Sequence, residues 1–198
     1  MSRKICCAAI CISVMMGMFV QASAFDGLRK GFILGGGLGL GSTSVDQSVQ
    51  FSGIELGSGS ESFLGVQTDF KIGYAPSENL AIYYFSDVAW FDMDNALGSS
   101  VTIASGVCGL GATYYVNQIA PTFCFGAGVG ISTWSLPFES DADTWTGVGV
   151  MACFGYEFVR HVSAEIAVTY GEPSTKESGI EATTKATTIR GSINVLAF

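Results

Sequence analysis

Between Glu61 and Tyr74 the chain reads ESFLGVQTDFKIGY, and from Leu64 every second residue is apolar or bulky: Leu64, Val66, Thr68, Phe70, Ile72 and Tyr74. Between them stand Gly65, Gln67, Asp69, Lys71 and Gly73. A period of two marks a strand whose two faces meet different surroundings. In a soluble protein the apolar face would pack on a core and the polar face would meet water. In a membrane barrel the apolar face meets lipid, and the polar side chains point into the lumen. One strand does not separate these readings, so the rest of the chain has to.

Turn signals cut the sequence after residue 24 into eight strand-like segments, near 30–44, 62–74, 79–91, 100–116, 121–134, 143–159, 162–171 and 184–198. Three connections are short: 75–78, 117–120 and 160–161. Four are longer and polar or rich in Gly and Ser: 45–61, 92–99, 135–142 and 172–183. Short turns at one end and long loops at the other are the layout of an outer-membrane barrel. Seven of the eight segments alternate cleanly, while the fourth carries small and apolar residues on both faces.

The minority face of these strands carries Gln67, Asp69, Lys71, Asp87, Glu157, Glu165 and Arg190. Burying seven such residues in a soluble core would be costly. A soluble sheet would instead need a mostly polar exposed face, and this one is half glycine. Composition agrees: 48% of residues are hydrophobic and 13% charged, too little charge to cover a soluble surface. Yet no run of about 18 apolar residues follows residue 24, so a transmembrane helix is not expected. The expectation is an all-β fold, an eight-stranded antiparallel up-and-down transmembrane β-barrel with a polar lumen. Aromatic belts are expected at its two interfaces. Tyr74, Tyr114, Tyr115, Tyr156, Phe158 and Phe198 fall near one end. Trp90, Phe91, Trp134, Trp145 and Tyr170 fall near the other, with Trp134 and Trp145 on the lumenal parity as candidate caps of the mouth.

Residues 1–24 read as a signal peptide, with Arg3 and Lys4 ahead of an apolar stretch from Ile5 to Val20 and small residues up to Ala24. Cleavage between Ala24 and Phe25 leaves a barrel domain of 25–198, exported toward the cell outer membrane. Without Arg3 and Lys4, seven bases face 17 acids, a net charge of −10. That balance argues against a nucleic-acid partner.

GFILGGGLGLG at the first strand, the strand-and-loop rhythm and Phe198 in SINVLAF together resemble the small eight-stranded outer-membrane barrels of the OmpA/OmpX-like superfamily. The resemblance implies insertion by the barrel assembly machinery, with Phe198 as assembly signal. It also implies a setting of outer-membrane lipid and lipopolysaccharide. That family's pattern wants apolar residues at alternate positions back from Phe198, but these are Leu196, Asn194 and Ser192. A register slip or bulge near Leu196 is therefore expected.

No cofactor or metal signature stands out. The lumenal charges are expected to pair with each other, Glu165 facing Arg190 and Gln67 facing Asp87, with Lys71 a step below. Cys124 and Cys153 share the lumenal parity and form a candidate disulfide. Lumenal glycines such as Gly37, Gly128 and Gly149 serve curvature or leave a small pocket. His161-Val162-Ser163-Ala164-Glu165 resembles the His/Ser pair of barrel-type lipid A deacylases, but it sits at a short turn, away from the outer leaflet where those enzymes act. The function expected is structural or interactional, through the long loops and an unknown surface partner, and not catalytic. The alternatives are a narrow pore or small lipophilic-ligand carrier and, further off, a lipid A-modifying hydrolase.

Overall fold

The computed structural model describes residues 28–51, 54–94, 100–139, 143–177 and 180–198. The expected cleavage site at Ala24 and Phe25 lies outside the described residues. Nine antiparallel strands make one sheet: β1 (Gly31–Phe51), β2 (Ile54–Ser77), β3 (Leu80–Asp94), β4 (Ser100–Tyr115), β5 (Thr122–Ser135), β6 (Trp145–Val159), β7 (Val162–Gly171), β8 (Ser174–Glu177) and β9 (Ile180–Ala197). Neighbours in sequence are neighbours in space, and β1 pairs with β9 to close the ring. β7 and β8 share one place in the wall, since both pair with β9 on either side of Glu172 and Pro173. Proline has no N–H to give the ladder, although the Pro173 carbonyl still accepts from the Thr184 N–H at 2.9 Å. The ring therefore has eight places, and the up-and-down barrel expected from the alternation is the fold.

The pleat sorts the side chains by parity. Leu40, Leu64, Leu110, Val129, Val148 and Ile166 stand outward and exposed, Leu64 at 85% and Val148 at 75%. Gln67, Asp69, Lys71, Asp87, Glu157, Glu165 and Arg190 stand inward and buried. The ambiguous fourth strand sorts the same way, with Leu110 and Tyr114 outward and Ile103, Val107, Thr113 and Tyr115 inward. An apolar outside around a charged inside can be solvated only by hydrocarbon, so the chain is a transmembrane β-barrel.

Three expectations are corrected. Residues 45–51 and 54–61 are strand where a loop was expected: β1 and β2 stay paired from Val45↔Glu61 to Phe51↔Ile54. β9 flanks β1 as far as Phe51↔Ile180, and much of 172–183 is likewise strand. Pairing between β2 and β3, by contrast, ends at Val66↔Trp90, so β8, β9, β1 and β2 continue beyond the wall as a tongue. Over 57–62 of β2 both faces are exposed, and a sheet wet on both faces is as Ser- and Gly-rich as a loop. Second, β9 pairs with β1 from Ala197 to Ile180 without a register shift. Val195, Ile193 and Ile189 face lipid in an unbroken rhythm, and Phe198 keeps the opposite parity and turns into the lumen. Third, Phe91 and Tyr115 are also buried inside, while Tyr74, Tyr114, Tyr156 and Phe158 stand outward.

Several lumenal glycines lie under side chains of nearby strands. A Cβ at Gly128 would strike the Phe85 ring, and one at Gly37 would strike Asn194 and Asp69. They make room for a packed interior rather than an empty one.

Candidate functional site

The lumen is filled at three levels. At the short-turn end Arg29, just ahead of β1, is buried in the mouth. Its backbone N–H donates to Glu78 Oε2 at 2.8 Å. Its Nη1 donates to the carbonyls of Glu78, Asn117 and Gln118 at 2.9, 3.1 and 3.0 Å. Nη2 forms an ion pair with Glu157, and the guanidinium lies 4.0 Å from the Tyr115 ring centroid and 5.8 Å from that of Phe198. One side chain thus ties the β2–β3 turn, the β4–β5 turn and the end of β6 together. A planar, five-donor cation suits such a task.

His161 belongs to the same base. It holds a left-handed backbone, φ 72°, in the two-residue turn between β6 and β7. Its backbone N–H donates to Glu157 Oε1 at 3.2 Å. Its Nδ1 lies 2.9 Å from the Leu196 carbonyl, and its ring packs 4.4 Å from that of Phe198. Ser163 instead donates to Glu165 Oε1 at 3.3 Å. The His-x-Ser-x-Glu sequence is not assembled as a nucleophile and base.

The middle level is ionic. Lys71 donates to both oxygens of Glu165, at 3.0 and 2.8 Å. Arg190 bridges two acids, giving Nη1 to Asp69 Oδ2 at 2.8 Å and Nη2 to Asp87 Oδ1 at 2.7 Å. Nη1 also reaches Ser192 Oγ at 2.7 Å. The predicted partners differ: Glu165 stands opposite Ser192 and Arg190 opposite Ala167, while Gln67 stands opposite Ala89 and Asp69 opposite Asp87. The β2–β3 hairpin turns at Glu78-Asn79, with Ser77 paired to Leu80, and this later turn moves the β2–β3 partners by two positions from those expected. The Glu172-Pro173 interruption separates β7 from β8 in the other hairpin, and long side chains then reach diagonally. Tyr83 meets Thr113 Oγ1 at 2.6 Å alongside.

Cys124 and Cys153 are not bonded; both thiols are buried and free, and Cys108 is free as well. The register explains it. Cys124 faces Gly155 and Cys153 faces Gly126, which sets the thiols on a diagonal instead of directly opposite.

An apolar cluster including Ile33, Tyr83, Phe85, Val107 and Met151 surrounds the ion pairs, and a second fills the long-hairpin end. Val45, Ala89, Phe91, Ile103, Trp134 and Ala186 form a buried cluster, with Phe63, Met93, Val101, Leu136 and Trp145 half-buried against it. Phe63 stacks on Phe91 at 5.0 Å, and Phe91 meets the edge of Trp134 at 5.8 Å. Trp134 and Trp145 cap the mouth from inside.

Arg29 is the member of this interior that sequence reasoning missed. A signal existed. The lumenal parity holds four acids, Asp69, Asp87, Glu157 and Glu165, against two bases, Lys71 and Arg190. A missing cation had to come from outside the strands, and Arg29 and Lys30 stand immediately before the first one.

No family model matches the chain, and no curated protein does. Solved structures match in shape. AlkL, determined by solid-state NMR in DMPC lipid bilayers, is 13% identical and superposes with a TM-score of 0.50, over 89% of this chain and 94% of its own. This chain has the fold of the small outer-membrane β-barrels. OprG of Pseudomonas aeruginosa is 14% identical over 85% of this chain and 98% of its own, at a TM-score of 0.47. The Neisserial surface protein A matches at 14% identity, 80% and 96% coverage and 0.47. At such identities the likeness speaks of the barrel fold alone.

Proposed function

We propose that the protein is an integral outer-membrane barrel with a structural or surface-interaction role, carried by the tongue and the connections at its long-hairpin end. The observation behind this reading is the closed lumen. Arg29 occupies one mouth, ion pairs cross the middle, and Phe91 and Trp134 fill the other end. A tube filled in this way offers no water column for a pore. The deacylase alternative has no support from His161, whose ring meets the Leu196 carbonyl and Phe198. The setting is lipid and lipopolysaccharide around the apolar wall, with the short turns periplasmic, the barrel assembly machinery during insertion, and a surface partner at the tongue. Purified barrel reconstituted in a planar bilayer should stay silent while still shifting its gel mobility on boiling. Steady single-channel conductance would overturn the structural reading in favour of a pore.

One observation favours a second reading. Phe63, Leu136 and Trp145 are only half-buried above the aromatic cluster, which leaves an apolar lip for a small lipophilic molecule. Quenching or a blue shift of tryptophan emission with an apolar ligand, lost in Trp145→Ala, would support it.

A further inference from the structure

Among the described residues the buried charged side chains are Arg29, Lys71 and Arg190 against Asp69, Asp87, Glu157 and Glu165. Three cations face four anions, so the interior carries one uncompensated negative charge. The pairing locates it. Arg29 is committed to Glu157, and Lys71 gives its hydrogen bonds to both oxygens of Glu165. Asp69 and Asp87 are left to share Arg190, directly opposite each other on the inner face of β2 and β3. Each aspartate spends one oxygen on the guanidinium, and the other oxygens, Asp69 Oδ1 and Asp87 Oδ2, are buried without a partner.

A second observation points to the same place. Asn194 is 4% exposed. Its Nδ2 donates to Ser192 Oγ at 3.3 Å, but its Oδ1 is buried without a donor. That oxygen lies over Gly37 beside Asp69 Oδ2, in the space a Cβ would fill. Asn194 Oδ1 and Asp69 Oδ2 thus share the space over Gly37, Asp87 stands opposite Asp69, and one negative charge is unmet. Carboxylate and amide oxygens are the ligands of hard cations, and a buried anion without a partner is strongly disfavoured.

We propose that Asp69, Asp87 and Asn194 bind a small monovalent cation of the sodium type, held inside the barrel beside Arg190. One positive charge closes the balance. A divalent ion would leave an excess of the opposite sign. Because the mouths are closed by Arg29 and by the aromatic cluster, the ion enters while the barrel forms, so the test refolds the protein in each salt.

The 25–198 chain is folded into phosphatidylcholine vesicles in sodium chloride, or in N-methyl-D-glucamine chloride of equal concentration and pH, and unfolded in urea. With sodium at ten times its Kd, the folded-to-unfolded ratio is about tenfold higher than in the organic cation. Asp87→Asn removes the surplus charge and abolishes the difference. If that variant does not fold, Asn194→Ala, which keeps both carboxylates, reduces the difference. Equal ratios for the unaltered protein in the two salts would overturn the proposal and leave the charge to a bound proton. A sodium advantage undiminished in the variants would place the ion elsewhere and overturn it as well.

Discussion

Two stretches of the same lumen differ in whether charge shares the filling. From the short-turn end to its middle, ion pairs in which each carboxylate meets Arg29, Lys71 or Arg190 run through an apolar cluster that includes Ile33, Tyr83, Phe85, Met151 and Phe198. Toward the long-hairpin end the interior is held by Phe63, Phe91, Trp134 and their aliphatic neighbours. The ionic stretch is demanding, because a charge taken out of water is stabilised only by its particular partner. The aromatic stretch is tolerant, because apolar burial counts area and is indifferent to identity. Lipid cannot drive the wall together as water would, so the interior has to do both jobs: the ions fix which strands meet, and the rings add cohesion.

That contrast can be broken from either side, with vesicle-folded protein unfolded in urea as the common measurement. Arg190→Leu leaves Asp69 and Asp87 facing each other without their bridge, and should cost about 3–5 kcal/mol. An unchanged midpoint would show that the ion pairs are dispensable. Adding Asp69→Leu and Asp87→Leu to it should recover most of the loss, since replacing a whole buried ionic group by apolar residues is often near neutral. Trp134→Ala in the aromatic stretch should cost about 3 kcal/mol, and Trp134→Phe far less, which is the tolerance the ionic stretch lacks. If Trp134→Phe is as damaging as the alanine change, the distinction fails. Arg29→Gln keeps some donors but strands Glu157, and about 2 kcal/mol is expected. Ser163→Ala, which deletes one long hydrogen bond to Glu165, should cost below about 1 kcal/mol. It should leave lipid A mass unchanged in cells carrying it, and a mass shift on expression of the unaltered protein that this variant removes would revive the hydrolase.

Much of this was legible in the residues themselves. Alternation places Gln67, Asp69, Lys71, Asp87, Glu157, Glu165 and Arg190 on one face because the pleat leaves a strand residue no other choice. Which of them touch was not legible. Register depends on where each hairpin turns and on a one-residue irregularity near Tyr74, and a turn centred one residue later moves every partner by two. The tongue was hidden for a different reason. The alternation argument works only where the two faces differ, and over 57–62 of β2 both faces are exposed. Arg29 lies outside any strand, so periodicity says nothing of it, and only the sign of the missing charge points to it. Phe198 was misjudged because the expectation set family habit above the local rhythm of Val195 and Ile193, and that rhythm held.

The β1–β9 seam has a consequence in time. It joins Leu34 to Ala197 and Phe51 to Ile180, so the first strand waits for almost the entire chain before it has its second neighbour. Until then its outward N–H and C=O groups have no partner, a state hydrocarbon does not tolerate. The entropy of closing so long a loop grows only slowly with length, so the delay lies in the order of events more than in the energy. A chain lacking β9 and inserted unaided would expose two raw edges to lipid, so the seam is where the ring is completed.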